Sequence, residues 1–165
     1  IIAEDLGVIT PEVLALRDRY HFPGMKILQF AFDAKLDDRD LPHKHVRNGV
    51  VYTGTHDNDT TKGWYRARSD AERREMKAYL GFSGDDGVGA LIRSALMSVS
   101  NTAVIPFQDV LNLGSEARMN IPGTPFGNWE WRFTWDMLPD GLAASIRRQV
   151  QRYGRTEPGD QTDAS

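Results

Sequence analysis

Residues Val50-Val51-Tyr52-Thr53-Gly54-Thr55-His56-Asp57-Asn58-Asp59 constrain this chain more than any other stretch. A β-branched apolar run ends at Gly54 and is followed at once by a histidine and two carboxylates. The pattern reads as a buried strand that hands acids to the loop at its C-terminal end. Ile1-Ile2-Ala3-Glu4-Asp5-Leu6-Gly7 repeats it in shorter form. In a (β/α)8 barrel the chemistry sits at that end of the strands. Glu4 and Asp57 are therefore the candidate acids, and a pair of carboxylates facing one pocket is the least equipment for proton transfer to and from a substrate.

The rest of the chain alternates in the same sense. Ile1 to Ala3 is a strand stub. Thr10 as N-cap and Pro11 at the first helical position open an amphipathic helix over 11–20, with Val13, Leu16 and Tyr20 on one face. Phe22-Pro23-Gly24 breaks it, and Lys26 to Phe32 reads as the next strand, ending near Asp33. A charged loop from Lys35 to Arg47 leads to the strand at Val50 to Thr53. Ser69-Asp70-Ala71-Glu72 is a capping box that opens a polar helix to about Leu80, closed by Gly81. Leu91, Ile92, Ala95, Leu96 and Val99 lie on one face of a well-buried helix. Thr102 to Pro106 is a fourth strand, residues 112–135 are a long ordered loop, and Leu142, Ile146, Val150 and Tyr153 mark a last helix ended by Gly154.

Strands alternating with helices imply parallel βα units. Four strands are visible where a complete barrel takes about 250 residues. The expected fold is therefore α/β, the C-terminal half of a (β/α)8 TIM barrel with long βα loops, against the alternative of a small open α/β sheet. Residues 1–154 are expected to form this part of the barrel and 155–165 a polar, disordered tail. The chain opens on Ile1, inside an apolar run, which leads to the expectation of a piece of a longer protein that lacks its N-terminal half and keeps its own C-terminus.

Composition excludes several classes. The 165 residues carry a formal net charge of −3 and are 40% hydrophobic, as one soluble globular unit would be. Mild acidity gives no reason to expect nucleic acid or an anionic membrane as partner. Cysteine is absent, so neither a disulfide framework nor a thiolate metal site is available, and a reducing, cytoplasmic compartment is expected. No apolar run approaches the ~20 residues of a membrane span.

Five segments, in order, resemble the amylomaltase family, the 4-α-glucanotransferases or disproportionating enzymes of the α-amylase superfamily. They are Ala3-Glu4-Asp5-Leu6-Gly7, Phe22-Pro23-Gly24-Met25-Lys26, Tyr52 through Asp59, Ser115 through Thr124, and Asn128-Trp129-Glu130-Trp131-Arg132. The resemblance implies a retaining double displacement on α-1,4-glucans and maltooligosaccharides, in starch and maltodextrin metabolism. It implies that Glu4 is the general acid/base after the fifth barrel strand, and that Asp57 is the carboxylate after the seventh that stabilises the transition state. His56 would hydrogen-bond the sugar beside it. The family's nucleophile is an aspartate in an Arg-x-Asp-His-like motif after the fourth strand, and no such motif occurs here. The N-terminal remainder of the same enzyme would supply it, and this stretch alone is expected to be inactive. Nothing calls for a metal or organic cofactor.

The remaining residues divide between a sugar cleft and ordinary structure. Trp129, Trp131, Phe126 and Tyr65 could stack on glucose rings, with only one of the two tryptophans in Asn128-Trp129-Glu130-Trp131 facing the cleft. Asn58, Arg118 and Asn120 could bond hydroxyls, and Pro122 and Gly123 would shape the loop over the bound chain. Asp59 reads as a cap or loop-former, Asp33 and Asp109 as turn or loop residues rather than the absent nucleophile, and Trp64 and Trp135 as core. His43 and His45, with Asp37, Asp38 and Asp40, read as a solvated loop rather than a metal site. An α-amylase-type hydrolase and a non-catalytic glucan-binding module remain as rival functions.

Overall fold

The structure, a computed structural model, describes residues 1–33 and 38–156. The tail expected at 155–165 falls almost wholly outside them, as does Asp37. Three parallel strands form the sheet in the order β1-β2-β3. They are β1 (Gly24–Ile27), β2 (Gly49–Tyr52) and β3 (Thr102–Val104). Met25 pairs with Val50 and Val50 with Thr102, so the C-terminal ends of all three come out on one rim at Ile27, Tyr52 and Val104. The helices are α1 (Pro11–Arg19), α2 (Leu28–Ala31), α3 (Thr61–Arg66), α4 (Asp70–Leu80), α5 (Gly87–Met97), α6 (Phe107–Val110) and α7 (Leu142–Arg152). Residues 1–131 form one compact unit and the residues from 132 onward a second.

The core of the first unit is built where β-branched and helical apolar faces meet. Val51 of β2, Leu28 of α2, Trp64 and Tyr65 of α3, Met76 of α4, and Leu91 and Ala95 of α5 form one buried cluster. A strand buried on both faces reads as a continuous apolar run, and Val50-Val51 does so. The capping box of α4 is complete: Ser69 Oγ accepts from the Glu72 N–H, and the Glu72 carboxylate accepts from the Ser69 N–H at 2.7 Å. Gly81 ends the helix at φ 67°, the left-handed conformation that glycine adopts without strain.

Several expectations change. The run from Lys26 to Phe32 is not one strand. It leaves the sheet after Ile27 and winds into α2, because Leu28 drops into the core while Gln29 turns beneath the β2 loop. A short apolar run cannot distinguish these two states by periodicity. Ile1 to Ala3 joins no ladder among the described residues; a single bond from the Ala3 N–H to the Pro23 carbonyl, 2.9 Å, ties it to the chain just before β1. The helix at 11–19 forms, yet none of its residues is buried, and Val13, Leu16 and the adjoining Tyr20 stay exposed. Val99 is exposed beyond the end of α5. Tyr65 belongs to the core and is not a sugar platform. Trp135, at 79% exposure, is not core: in the second unit its ring meets Phe133 edge-on at 5.5 Å, in a stretch where no described residue is buried.

His45 is not on a solvated loop either. It is 7% exposed, with Nε2 donating to the Asp40 carbonyl at 2.9 Å and Nδ1 paired with Ser98 Oγ at 2.8 Å. A carbonyl only accepts, so the neutral ring carries its proton on Nε2. Desolvation lowers its pKa from the ordinary 6.5, assisted by Lys26 and His43. The unfolded chain therefore binds a proton that the folded one refuses, and stability falls as pH drops below about 6.5. Asp40, whose pKa burial raises, acts in the opposite sense and at lower pH. The melting temperature of His45→Gln is expected to decline less steeply than wild type between neutral pH and the acid limb. Parallel declines would disprove the assignment.

Candidate active site

The loop that follows β2 holds itself in shape before anything binds. Asn58 Oδ1 accepts from both the N–H and the hydroxyl of Thr55, each at 2.8 Å, closing a tight turn around His56 and Asp57. That use of its carboxamide oxygen makes Asn58 a loop-former here. Asp59 Oδ1 accepts from the Thr60 N–H, and Thr60 caps α3 through its own side chain. Asp59 Oδ2 accepts from Ser115 Oγ at 2.6 Å, so the β2 loop is joined to the loop after α6. Gly63 of α3 faces this joint: a Cβ there would strike both Ser115 Oγ and the Asp59 carboxylate.

Asp57 and His56 project from the turn and are exposed. Asp57 Oδ1 accepts from Asn120 Nδ2 at 2.6 Å and lies 3.4 Å from His56 Nε2. Arg118 Nη2 donates to the Asp57 carbonyl at 2.7 Å, and Arg118 Nε to the Asn120 carbonyl at 2.8 Å. Arg118 thus braces backbone on both loops. Trp129 brings its ring to 5.0 Å from His56, tilted by 38°, from a backbone at φ 64° that its N–H anchors to the Met119 carbonyl. The loop carrying Pro122 is pinned by Asn128, which accepts from the Ile121 N–H at 2.9 Å and donates to the Thr124 carbonyl at 2.9 Å. Phe126, 85% exposed, stands at the tip of that loop. Trp131 is half-buried.

Glu4 approaches from the other side. Its neighbour Asp5 is buried, paired with Arg17 of α1, and accepts from the Met25 N–H of β1 at 2.7 Å. Gly24 allows that approach, since a Cβ there would meet the Asp5 carboxylate. Glu4 itself is exposed. It lines, with Asp57 and His56, a cleft of about 270 Å³ whose floor includes Tyr52 and Val104, the last residues of β2 and β3. A larger cleft of about 1110 Å³ again holds Glu4 and Asp57, with Asn58, Pro122 and Arg17. The two candidate acids therefore line the same two clefts. Trp131 and Phe126 line neither cleft.

Sequence reasoning passed over two buried polar residues that hold this rim. Gln29 donates to the Asp59 carbonyl at 2.9 Å, and a side chain at Gly54 would collide with it. Asp109, read as a loop residue, lies in α6 at 2% exposure and accepts bonds from Thr53 and Thr61. Its signal was the one used for Glu4 and Asp57, a carboxylate shortly after an apolar strand. Among the described residues no three His, Asp or Glu side chains gather as metal ligands. No helix among them is long and apolar enough to cross a membrane.

Comparison with known proteins gives consistent results. The sequence profile of the 4-alpha-glucanotransferase family matches residues 1–138. The 4-alpha-glucanotransferase of Thermus thermophilus is 56% identical over 163 residues, covering 94% of this chain and 33% of that protein. The Synechocystis enzyme of the same name is 52% identical over 157 residues, covering 94% of this chain and 31% of its own length. The chain thus spans about a third of the length of these curated relatives. The structure of the amylomaltase from Streptococcus agalactiae in complex with acarbose superposes at a TM-score of 0.88, with 32% identity, over 94% of this chain and 32% of that one.

Proposed function

This chain belongs to the 4-alpha-glucanotransferase family, and from that premise we propose that it forms part of an enzyme that moves a segment of an α-1,4-glucan to the 4-hydroxyl of an acceptor sugar. The observation that carries the reading is the meeting of Glu4 and Asp57 on a single cleft at the rim of a parallel sheet. The three strands are the later ones of a (β/α)8 barrel. The uncovered apolar side chains of α1, Val13 and Leu16, are what the missing half would pack upon. A compartment without disulfide chemistry, such as the cytoplasm, suits a chain without cysteine.

Retaining transfer needs an acid/base carboxyl and a nucleophilic carboxylate about 5–5.5 Å apart. Glu4 protonates the leaving glycosidic oxygen while the nucleophile, carried by the N-terminal remainder, attacks the anomeric carbon. Glu4 then deprotonates the incoming hydroxyl. The burial that such an acid needs comes from that remainder, because Glu4 is exposed in this chain. Asp57, held by Asn120 and by Arg118 through its backbone, stabilises the cation-like sugar through its hydroxyls. His56, backed by Trp129, presents a second polar contact beside it. Positioning an acceptor against bulk water is the remaining task, and the pinned loop at Pro122 provides a wall for it.

Incubating the full-length protein with maltotriose is expected to yield free glucose together with chains longer than the substrate, whereas residues 1–165 alone yield neither. Exclusively shorter chains would indicate a hydrolase, and binding without turnover a glucan-binding module; either result would overturn the proposal.

A further inference from the structure

Asp109 has no part in the chemistry above, yet its placement bears on it. It sits in α6, just past the end of β3, at 2% exposure. Both carboxylate oxygens are occupied. Oδ2 accepts from Thr53 Oγ1 at 2.6 Å and from Thr61 Oγ1 at 2.6 Å, while Oδ1 accepts from the Thr61 N–H at 2.7 Å. Thr53 is the residue at which β2 passes into its loop, and Thr61 is the first residue of α3. Residues 54–60 between them carry His56 and Asp57. One buried carboxylate therefore draws the two ends of that loop together and fastens both to the segment behind β3. Gln29 adds a third tie from α2, to the Asp59 carbonyl and, at 3.4 Å, to Thr61 Oγ1.

We propose that Asp109 is a positioning residue for the transfer reaction, a clasp that sets where Asp57 stands on the cleft by closing the ends of its loop. The proposal rests on the functional reading above. Three polar groups converge on the carboxylate, two hydroxyls and one backbone N–H, and an apolar side chain at 109 would leave all three without this partner in a buried site. A small displacement of a group that acts on the transition state costs rate far more than it costs substrate binding.

The test uses the full-length protein and two kinds of variant. Asp109→Leu, which offers no polar atom, and the isosteric Thr53→Val are expected to lower kcat on maltotriose by about 10²-fold while KM is held. Thr53→Ser, which keeps the hydroxyl, is expected to retain wild-type kcat. In parallel, hydrogen–deuterium exchange of the peptide spanning 53–61 is expected to speed up in Asp109→Leu and Thr53→Val and not in Thr53→Ser. Retention of kcat in Asp109→Leu and Thr53→Val, or an equal loss in Thr53→Ser, overturns the proposal. So does an unchanged exchange rate over 53–61. If the wild-type protein shows no transfer, the functional reading falls first, and the exchange measurement, which needs no turnover, still decides whether Asp109 holds the loop.

Discussion

Glu4→Gln in the full-length protein is expected to lower transfer between maltooligosaccharides by at least about 10²–10⁴-fold, the range that a positioned general acid/base contributes. Gln keeps the shape of the side chain but cannot give up a proton or take one. The fold is expected to survive, because Asp5 rather than Glu4 ties this segment down, through Arg17 and the Met25 N–H. An unchanged melting temperature checks that point. A donor with an acidic leaving group, such as a maltosyl fluoride, needs no protonation in the first step. With it the variant should form the glycosyl-enzyme at a rate near wild type and then stall. Near-normal transfer from maltotriose by Glu4→Gln would remove the residue from the mechanism. Failure with the fluoride as well would assign it a role in binding or folding instead.

Asp57→Asn is expected to lower kcat by about 10²–10³-fold, as does the loss of one preorganised group facing developing charge. The substitution isolates the charge. The Asn carboxamide oxygen can still accept from Asn120 Nδ2, and Arg118 bonds the backbone at position 57, which no substitution there removes. The loop should therefore keep its turn, and a melting temperature equal to wild type would show that it does. A kcat within a few-fold of wild type at unchanged stability would mean that the carboxylate at 57 does not act on the transition state.

The loop that carries Asp57 was legible in the sequence because its signal was local, whereas the strand read before Glu4 joins no ladder among the described residues. Val50-Val51-Tyr52 is apolar and β-branched, Gly54 ends it, and the acids come next. The Ser69–Glu72 box and Gly81 were legible for the same reason, since a cap is complete within three residues of itself. The parts that escaped depend on partners far along the chain. Leu28 and Gln29 are helical because the core and the β2 loop claim one side chain each. His45 is buried by Ser98, 53 positions away. Asp109 is drawn in by Thr53 and Thr61, at separations of 56 and 48. Trp135 was expected inside because large aromatics usually are, but among the described residues of the second unit none is buried.

Gly63 shows how far such reach can extend. It lies behind the rim and contacts no sugar in the proposed arrangement, yet it sits against the hydrogen bond that Ser115 Oγ donates to Asp59. Even a methyl group there would displace the Ser115 hydroxyl and the Asp59 carboxylate and break the bond that joins the two loops. In the proposed arrangement the join between these loops is kept from its back wall by a side chain reduced to a hydrogen atom, so a change well outside the cleft would reach the residues that line it.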